Sequence, residues 1–480
     1  MNSHTVEKIG GTSMSDHAAV INNIVLPQHR REQPYQRVFV VSAYGGITNL
    51  LLEHKKTGQA GVYALFANGV KDDSWKTALQ TLKHEMFGIN EDMFGAGELL
   101  QQANRFIGER LDDAKDCLTD LHRLCQHGHF SLDAHLSTVR EMLASIGEAH
   151  SAWNMAQQLQ QKGINARFVD LTAWDSSKHM NLDERITEAF KHLDLTSELP
   201  IVTGYAHSKQ GLMSTFDRGY SEMTFSRIAV LTKAREAVIH KEFHLSSADP
   251  KLVGEGNAVP IGRTNYEVAD HLANLGMEAI HPRAAKGLRQ SHIPLRVKNT
   301  FEPEHTGTLI TGDYVSDTPR AEIIAGCKEV YAIEVFDQNM TDLQAKYDTD
   351  ILEVIRRFKA RAMSKDMNAN TITHYLSTNL KTVKRIIQVL QQNFPEAEIN
   401  QQKVAVVSAI GSDMQVSGIL AQAVAALADK QISVLAAHQS MRQVDMQFII
   451  SEDDYDRAIK SLHNCLVEVH NHGRAICMAC

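Results

Sequence analysis

The chain opens on short apolar runs separated by small and polar residues. The stretch Thr5 to Lys8 reads as a strand, a glycine-rich turn follows, Asp16 to Leu26 has helical phase, and Arg37 to Ala43 is a β-branched run. This alternation predicts a parallel sheet with crossover helices. From Leu100 the apolar positions Ala103, Ile107, Leu111, Ala114, Leu118, Leu121 and Cys125 recur at three- and four-residue steps, predicting a long amphipathic helix. A second series, Leu132, Leu136, Val139, Leu143 and Ile146, follows Ser131, read as its N-cap. Together they predict a helical subdomain packed on its own core. Strand signals return at Pro200 to Tyr205, Ala237 to Lys241 and Ile293 to Asn299, with a helical run from Thr224 to Arg235.

After Thr306-Gly307-Thr308 the units become shorter. The order is strand Val330 to Phe336, helix Thr349 to Lys359, strand Thr371 to Tyr375 and helix Thr382 to Gln392. A similar order then repeats: strand Lys403 to Ala409, helix Gln415 to Asp429, strands near Ser433 to Ala437 and Gln443 to Ile450, and helix Asp453 to Val467. Two consecutive small α/β units predict a duplicated module.

At 480 residues the chain is longer than one core usually organises, so two or three domains are expected. A formal charge of −8 argues against a nucleic-acid binder. No apolar run reaches the length of a membrane span, and Met1 to Lys8 lacks a signal-peptide pattern, so a cytoplasmic protein is expected. Six cysteines are too few for a disulfide framework in a chain of this length and are expected as reduced thiols.

Two strand-to-turn segments carry candidate chemistry. In Lys8-Ile9-Gly10-Gly11-Thr12-Ser13 adjacent glycines let backbone N–H groups turn toward a phosphate, with Lys8 as a mobile cation. The lysine precedes the glycines, so this is not the P-loop of nucleotide hydrolases. In Val40-Val41-Ser42-Ala43-Tyr44-Gly45-Gly46-Ile47-Thr48-Asn49 a second strand runs into a small-residue turn that offers the hydroxyls of Ser42 and Thr48. Glu148 reads as the start of a helix and Arg218 as a surface cation when each is taken alone. The cluster His470-Asn471-His472 with Cys477 and Cys480 has ligand types suited to zinc, but it lies in a tail of the kind that is commonly disordered, and no metal site is expected.

The order of Lys8-x-Gly-Gly-Thr-Ser, Ser42 to Asn49, Gly147-Glu148-x-x-Ser151, Asp217-Arg218-Gly219-x-Ser221-Glu222 and His281-Pro282 resembles the aspartokinases of the amino-acid-kinase superfamily, over nearly the whole chain. The duplicated modules resemble ACT domains, and the Glu7-Lys8-Ile9-Gly10-Gly11-Thr12-Ser13 opening with the helical insertion is similar to the specialised aspartokinases of ectoine synthesis. The resemblance implies an α/β amino-acid-kinase fold, an open and mainly parallel sheet sandwiched by helices, followed by two βαββαβ ACT-type modules. The implied domains are 1–305 with the helical insertion at about 90–146, then 306–400, then 401–480 with the tail.

It also implies transfer of the ATP γ-phosphate to the β-carboxylate of L-aspartate, with Mg2+ accompanying ATP, in a homodimer or larger assembly joined through the ACT modules. Lys8 is expected to neutralise the transferring phosphoryl group, and Gly10, Gly11, Thr12 and Ser13 to cradle phosphates. Glu148 would meet the substrate ammonium and Arg218 its α-carboxylate, with Ser42, Thr48 and Ser221 adding hydroxyls. Glu222 stands where relatives have aspartate, and is expected to organise the phosphate and metal site. Relatives place Thr-Asp where this chain has Lys241-Glu242, and a lysine where it has Glu278. Asp249 and Lys251 are the best-aligned ATP contacts in the loop that follows, Lys241 is a new cation, and Lys241 or Lys251 is expected to supply the missing phosphate contact. The alternatives are another amino-acid kinase acting on glutamate or N-acetylglutamate, and a catalytically dead sensor. The first ACT turn, Asn339 to Asp348, contains no glycine, and Asp342 and Asp348 are expected to repel an effector carboxylate, so little inhibition by lysine or threonine is expected.

Overall fold

A computed structural model describes residues 4–55, 57–68, 73–174, 179–216, 219–277 and 279–468. Its strands are β1 (Thr5–Ile9), β2 (Arg37–Val41), β3 (Ala166–Val169), β4 (Leu199–Thr203), β5 (Glu236–Lys241), β6 (Arg263–Asn265), β7 (Leu295–Asn299), β8 (Thr308–Thr311), β9 (Ile323–Phe336), β10 (Arg361–Asn368), β11 (Thr371–Ser377), β12 (Glu398–Ile410), β13 (Val434–Gln439) and β14 (Asp445–Ser451). The chain divides into two compact units, one of residues 1–244 with 280–312 and one of 245–279 with 313–480.

In the first unit the strands run in the order β3-β4-β2-β1-β5-β7-β8. Every neighbouring pair is parallel except β7 with β8. β1, β2 and β4 are buried along their whole length, which is why they read as unbroken apolar runs rather than alternating ones. Two of the exceptions, Glu7 and Arg37, are charged and paired. Glu7 accepts from Arg37 Nε at 2.7 Å and lies 2.8 Å from His240 Nε2, while Arg37 also donates to the carbonyls of Ile24 and Val25. Burial pushes the Glu7 carboxyl up, but the Arg37 guanidinium and His240 together hold it well below the usual range.

The amphipathic series from Leu100 lies within the helix Glu98–Cys125, with Ala103, Ile107, Leu111, Ala114 and Leu118 on its buried face. The second series opens one continuous helix, Asp133–Gln161, which starts after Leu132 without a side-chain cap, so Ser131 is not its N-cap. Glu148 consequently sits in mid-helix rather than at a helix start. A further helix, Ser74–Phe94, buries Trp75, Leu79, Leu82 and Met86 in the same core.

In the second unit β6 leads into the helix Tyr266–Asn274, capped by Asn265. A separate antiparallel sheet has the order β10-β11-β9-β12-β14-β13. β9 and β12 are long enough to serve both modules. Val330–Phe336 pairs with β11 and with Glu398–Val404, whereas Ile323–Cys327 pairs with Val406–Ile410. A bulge separates the two ladders, and Glu329 there takes a φ of +61°. Each module thus gathers two strand halves, a helix, a hairpin and a second helix, and the 400/401 boundary falls inside a strand that both share. Separate apolar cores lie under the two halves, one around Ile333, Ile351, Ile372 and Ile386, the other around Val407, Leu427, Phe448 and Leu462.

No helix among the described residues is long and apolar enough to cross a membrane. Cys117, Cys125, Cys327 and Cys465 carry free thiols. Among the described residues no group of histidine, cysteine, aspartate or glutamate is placed to hold a metal ion, and the His470 to Cys480 cluster lies outside them.

Candidate active site

β1 lies between β2 and β5, and the chain leaves it toward β2 first and reaches β5 only after β3 and β4. In an open parallel sheet such a reversal opens a crevice at the carboxyl ends of the strands. Two glycine pairs let the turns there approach backbone to backbone. A Cβ on Gly11 would lie 2.7 Å from the Ala43 carbonyl, and one on Gly45 would lie 2.8 Å from Ser15 Oγ, which accepts from the Gly45 N–H. Gly46 takes a φ of +86° to start the helix Ile47–Leu51, which carries Thr48.

The helix Asp133–Gln161 is drawn against this turn by Gly147, where a Cβ would stand 2.8 Å from Ala43 Cβ. Ser151 one turn later donates to the Ser42 carbonyl at 2.8 Å. Between them Glu148 is 1% exposed. Its Oε1 accepts from Ser221 Oγ at 2.7 Å, and its Oε2 is buried with no hydrogen-bond partner. Burial pushes its pKa up to about 8, against the lowering pull of the Ser221 hydroxyl, the Lys8 charge, the Tyr220 hydroxyl and the Tyr205 backbone. A carboxylate starved of donors in this way is suited to an incoming cationic group. Lys8, Ser42, Glu148 and Ser221 are thus brought into one neighbourhood.

Other expected residues stand differently. The Ser13 N–H and hydroxyl are both directed at Glu242 Oε1, at 3.1 and 3.3 Å, and the hydroxyl also meets Thr300 Oγ1 at 3.0 Å. Thr12 is exposed, and Gly10 and Gly11 line the turn itself. Glu222 accepts from the backbone N–H of His281, while Gly219 packs so closely that a Cβ would lie 2.6 Å from the His281 ring. Glu222 therefore anchors the His281-Pro282 motif. Lys241 ends β5, half-buried, and Asp249 and Lys251 belong to the second unit, where the Asp249 carboxylate caps the helix Pro250–Val253. Arg218 and Glu278 lie outside the described residues.

Sequence reasoning passed over Glu141, a buried carboxylate that collects hydrogen bonds from the segment leading to Gly219. Its signal was its spacing, seven residues before Glu148 and so on the same face of the helix. Beside the Tyr44 to Leu50 turn opens a cavity of about 580 Å³, lined among others by Ser15, His17, His54, Glu85 and Asp92.

The description "amino acid kinase family" matches residues 4–299, and "ACT domain" matches 396–464. The chain is 53% identical over 476 residues to the aspartate kinase Ask_Ect of Stutzerimonas stutzeri, covering 99% of this chain and all of that one. The chain belongs to the aspartokinase family. The family's aspartokinase from Candida albicans is 22% identical over 96% of this chain and 90% of its own length. Among solved structures, E. coli aspartokinase III in complex with lysine and aspartate superposes with a TM-score of 0.74 at 18% identity, over 97% of this chain and all of that one. The same E. coli aspartokinase in complex with aspartate and ADP gives 0.71 at 17% identity. These likenesses support the family's two-part architecture.

Proposed function

We propose that this aspartokinase transfers the γ-phosphate of MgATP to the β-carboxylate of L-aspartate, giving 4-phospho-L-aspartate for ectoine synthesis. The observation that carries the reading is Glu148, a buried carboxylate with one oxygen unpaired, set beside Lys8 and Ser221 in a chain so similar to an aspartate kinase. Glu148 receives the substrate ammonium and Arg218 the α-carboxylate, with Ser42, Thr48 and Ser221 placing hydroxyls around them. The β-carboxylate is then free to face the phosphate turn. One of its oxygens bonds to the γ-phosphorus as the bond from that phosphorus to the ADP oxygen breaks. The nucleophile is already an anion, so no general base is required, and catalysis is positioning plus charge neutralisation. Lys8 supplies the neutralising charge, Gly10 to Ser13 border the phosphates, and Glu222 holds the loop that faces them. Lys241, in the same unit, is the nucleotide contact proposed beyond that turn.

Two copies join through the ACT modules. The helix Ile419–Asp429 leaves Ala421, Val424 and Ala425 exposed, and Leu435 is 48% exposed on the sheet-edge strand β13. The same reading takes the enzyme as cytoplasmic, and no helix among the described residues is long and apolar enough to cross a membrane. The test is one assay with MgATP and aspartate, glutamate or N-acetylglutamate, trapping any acyl phosphate with hydroxylamine. Turnover with aspartate alone is expected. Turnover with another acid would replace the substrate, and none with any acid would leave a sensor.

A further inference from the structure

The helix that carries Glu148 carries a second buried carboxylate two turns earlier, and nothing in the proposed reaction uses it. Glu141 Oε2 accepts from the Tyr205 hydroxyl at 2.8 Å and from the N–H groups of Leu212 and Met213 at 3.1 and 3.0 Å. Its Oε1 accepts from the Ser214 N–H at 2.9 Å. Three successive amides wrapped on one carboxylate form a nest for an anion, and here the chain supplies its own. Gly211 is what allows the wrap. It takes a φ of +75°, and a Cβ there would lie 2.7 Å from Glu141 Oε1 and 2.3 Å from Ser214 Oγ.

What this anchor holds is the approach to the substrate grip. The Tyr205 ring, fixed by its hydroxyl to Glu141, meets the Tyr220 ring edge to face at 5.7 Å. Tyr220 precedes Ser221, the donor to Glu148. Glu141 therefore holds Tyr205 and the Leu212 to Ser214 turn, and Glu148 holds Ser221. Left unanchored, Tyr205 and the start of the short helix Leu212–Phe216 would lose conformational freedom each time substrate bound, and the affinity would fall by the fraction of time they are correctly placed. Only a carboxylate accepts from all four donors, because the amide of glutamine would turn its own N–H groups toward some of them.

We infer that Glu141 is a positioning residue for the amino-acid substrate, a buried carboxylate that fixes Tyr205 and the Leu212 to Ser214 turn before substrate arrives. This rests on the aspartate-kinase reading, which the hydroxylamine assay on the unaltered enzyme checks separately. In Glu141→Gln, with folding verified by near-ultraviolet circular dichroism, KM for aspartate should rise about 10-fold or more, while kcat at saturating aspartate and KM for ATP stay within about 3-fold. Gly211→Ala, which drives a methyl group into the same carboxylate, should reproduce that split. A fall in kcat with unchanged aspartate KM in both variants would overturn the inference and leave Glu141 a purely structural group. Should the variants not fold, hydrogen exchange on the unaltered protein decides. The amides of Leu212, Met213 and Ser214 should be protected without ligand and change little when aspartate is added. Amides that exchange freely until aspartate binds would mean that no anchor exists in the free enzyme.

Discussion

Glu148 makes a prediction with two linked signs. Its carboxyl, pushed up to about 8 by burial, is mostly neutral in the free enzyme below that pH. An ammonium partner needs it charged, so binding aspartate below pH 8 must release a proton. From pH 8 to pH 6 the ionised fraction falls about 50-fold, and aspartate affinity should fall by a similar factor. Calorimetry without nucleotide, in buffers of different ionisation heat, should show close to one proton released per aspartate bound near pH 6.5. Glu148→Gln keeps the shape and the Ser221 contact but removes the charge. Breaking a buried charge pair on one side costs about 3–5 kcal/mol, so kcat/KM for aspartate at pH 8 should drop about 10²- to 10⁴-fold and lose its pH dependence. Stability moves the other way. The folded pKa lies above the ordinary value of 4.5, so the folded state holds an extra proton between pH 4.5 and 8 and loses stability as pH rises through that window. Above pH 8 the Gln variant without ligand should be more stable than the parent, by on the order of a few kcal/mol, with aspartate closing the gap only for the parent. Aspartate binding that is flat between pH 6 and 8, with no proton released, would refute the reasoning.

Lys8→Ala should lower kcat by about 10²-fold or more with little change in aspartate affinity, the scale of losing one preorganised charge contact, as steady-state kinetics would show. Arg37→Ala strands Glu7 in the core and should destabilise the protein by about 3–5 kcal/mol, measured by denaturant unfolding, with KM values retained in whatever remains folded. Millimolar lysine or threonine, singly or together, should leave aspartate-dependent ATP turnover unchanged. In the first module Asp337 already accepts from the Asn339 N–H and the Tyr347 hydroxyl, and in the second the Ser412 N–H donates to Glu322.

The parts of the fold that were legible are those where one physical signal dominates. Strands buried on both faces read as β-branched runs, and the stripe from Leu100 read as one helix because a single apolar face is buried. The helix Ser74–Phe94 was missed because its apolar phase is interrupted by His84, Glu85 and Asn90, of which Asn90 is buried in hydrogen bonds to Asn104, His150 and Asn154. β10 was missed because Arg361–Asn368 is largely exposed and carries little apolar content. At the site, Lys8 and Ser42 could be picked out because each lies where a strand runs into a glycine-bearing turn, whereas Glu148 and Ser221 stand out only through the order of motifs that carries the family resemblance. What no motif conveys is which donors a carboxylate meets. Glu242 turning back to Ser13, Glu222 taking the His281 amide, and Asp348 pairing with Lys365 all depend on contacts far apart in sequence. The last of these leaves Asp342 alone to carry the expected repulsion of an effector.

Glu141 and Glu148 show how one helix makes two different groups from the same side chain. Seven residues set them on one face about 10 Å apart, both removed from water. Four donors converge on Glu141, so its charge is satisfied and it can hold backbone in place. At Glu148 the Ser221 hydroxyl bonds Oε1, and the Tyr220 hydroxyl and Tyr205 backbone pull weakly on the carboxyl, yet Oε2 stays without a hydrogen bond and burial holds the carboxyl near neutrality. The difference lies in the neighbours. The segment beside Glu141 turns three N–H groups inward through Gly211, whereas Gly147 and Gly204 draw Ala43 and Ser221 close around Glu148. An unsatisfied group of this kind weakens the fold, and it persists where a ligand supplies what is missing. On that argument the unpaired oxygen of Glu148 marks the place of the substrate ammonium, and the satisfied Glu141 marks the frame that holds that place open.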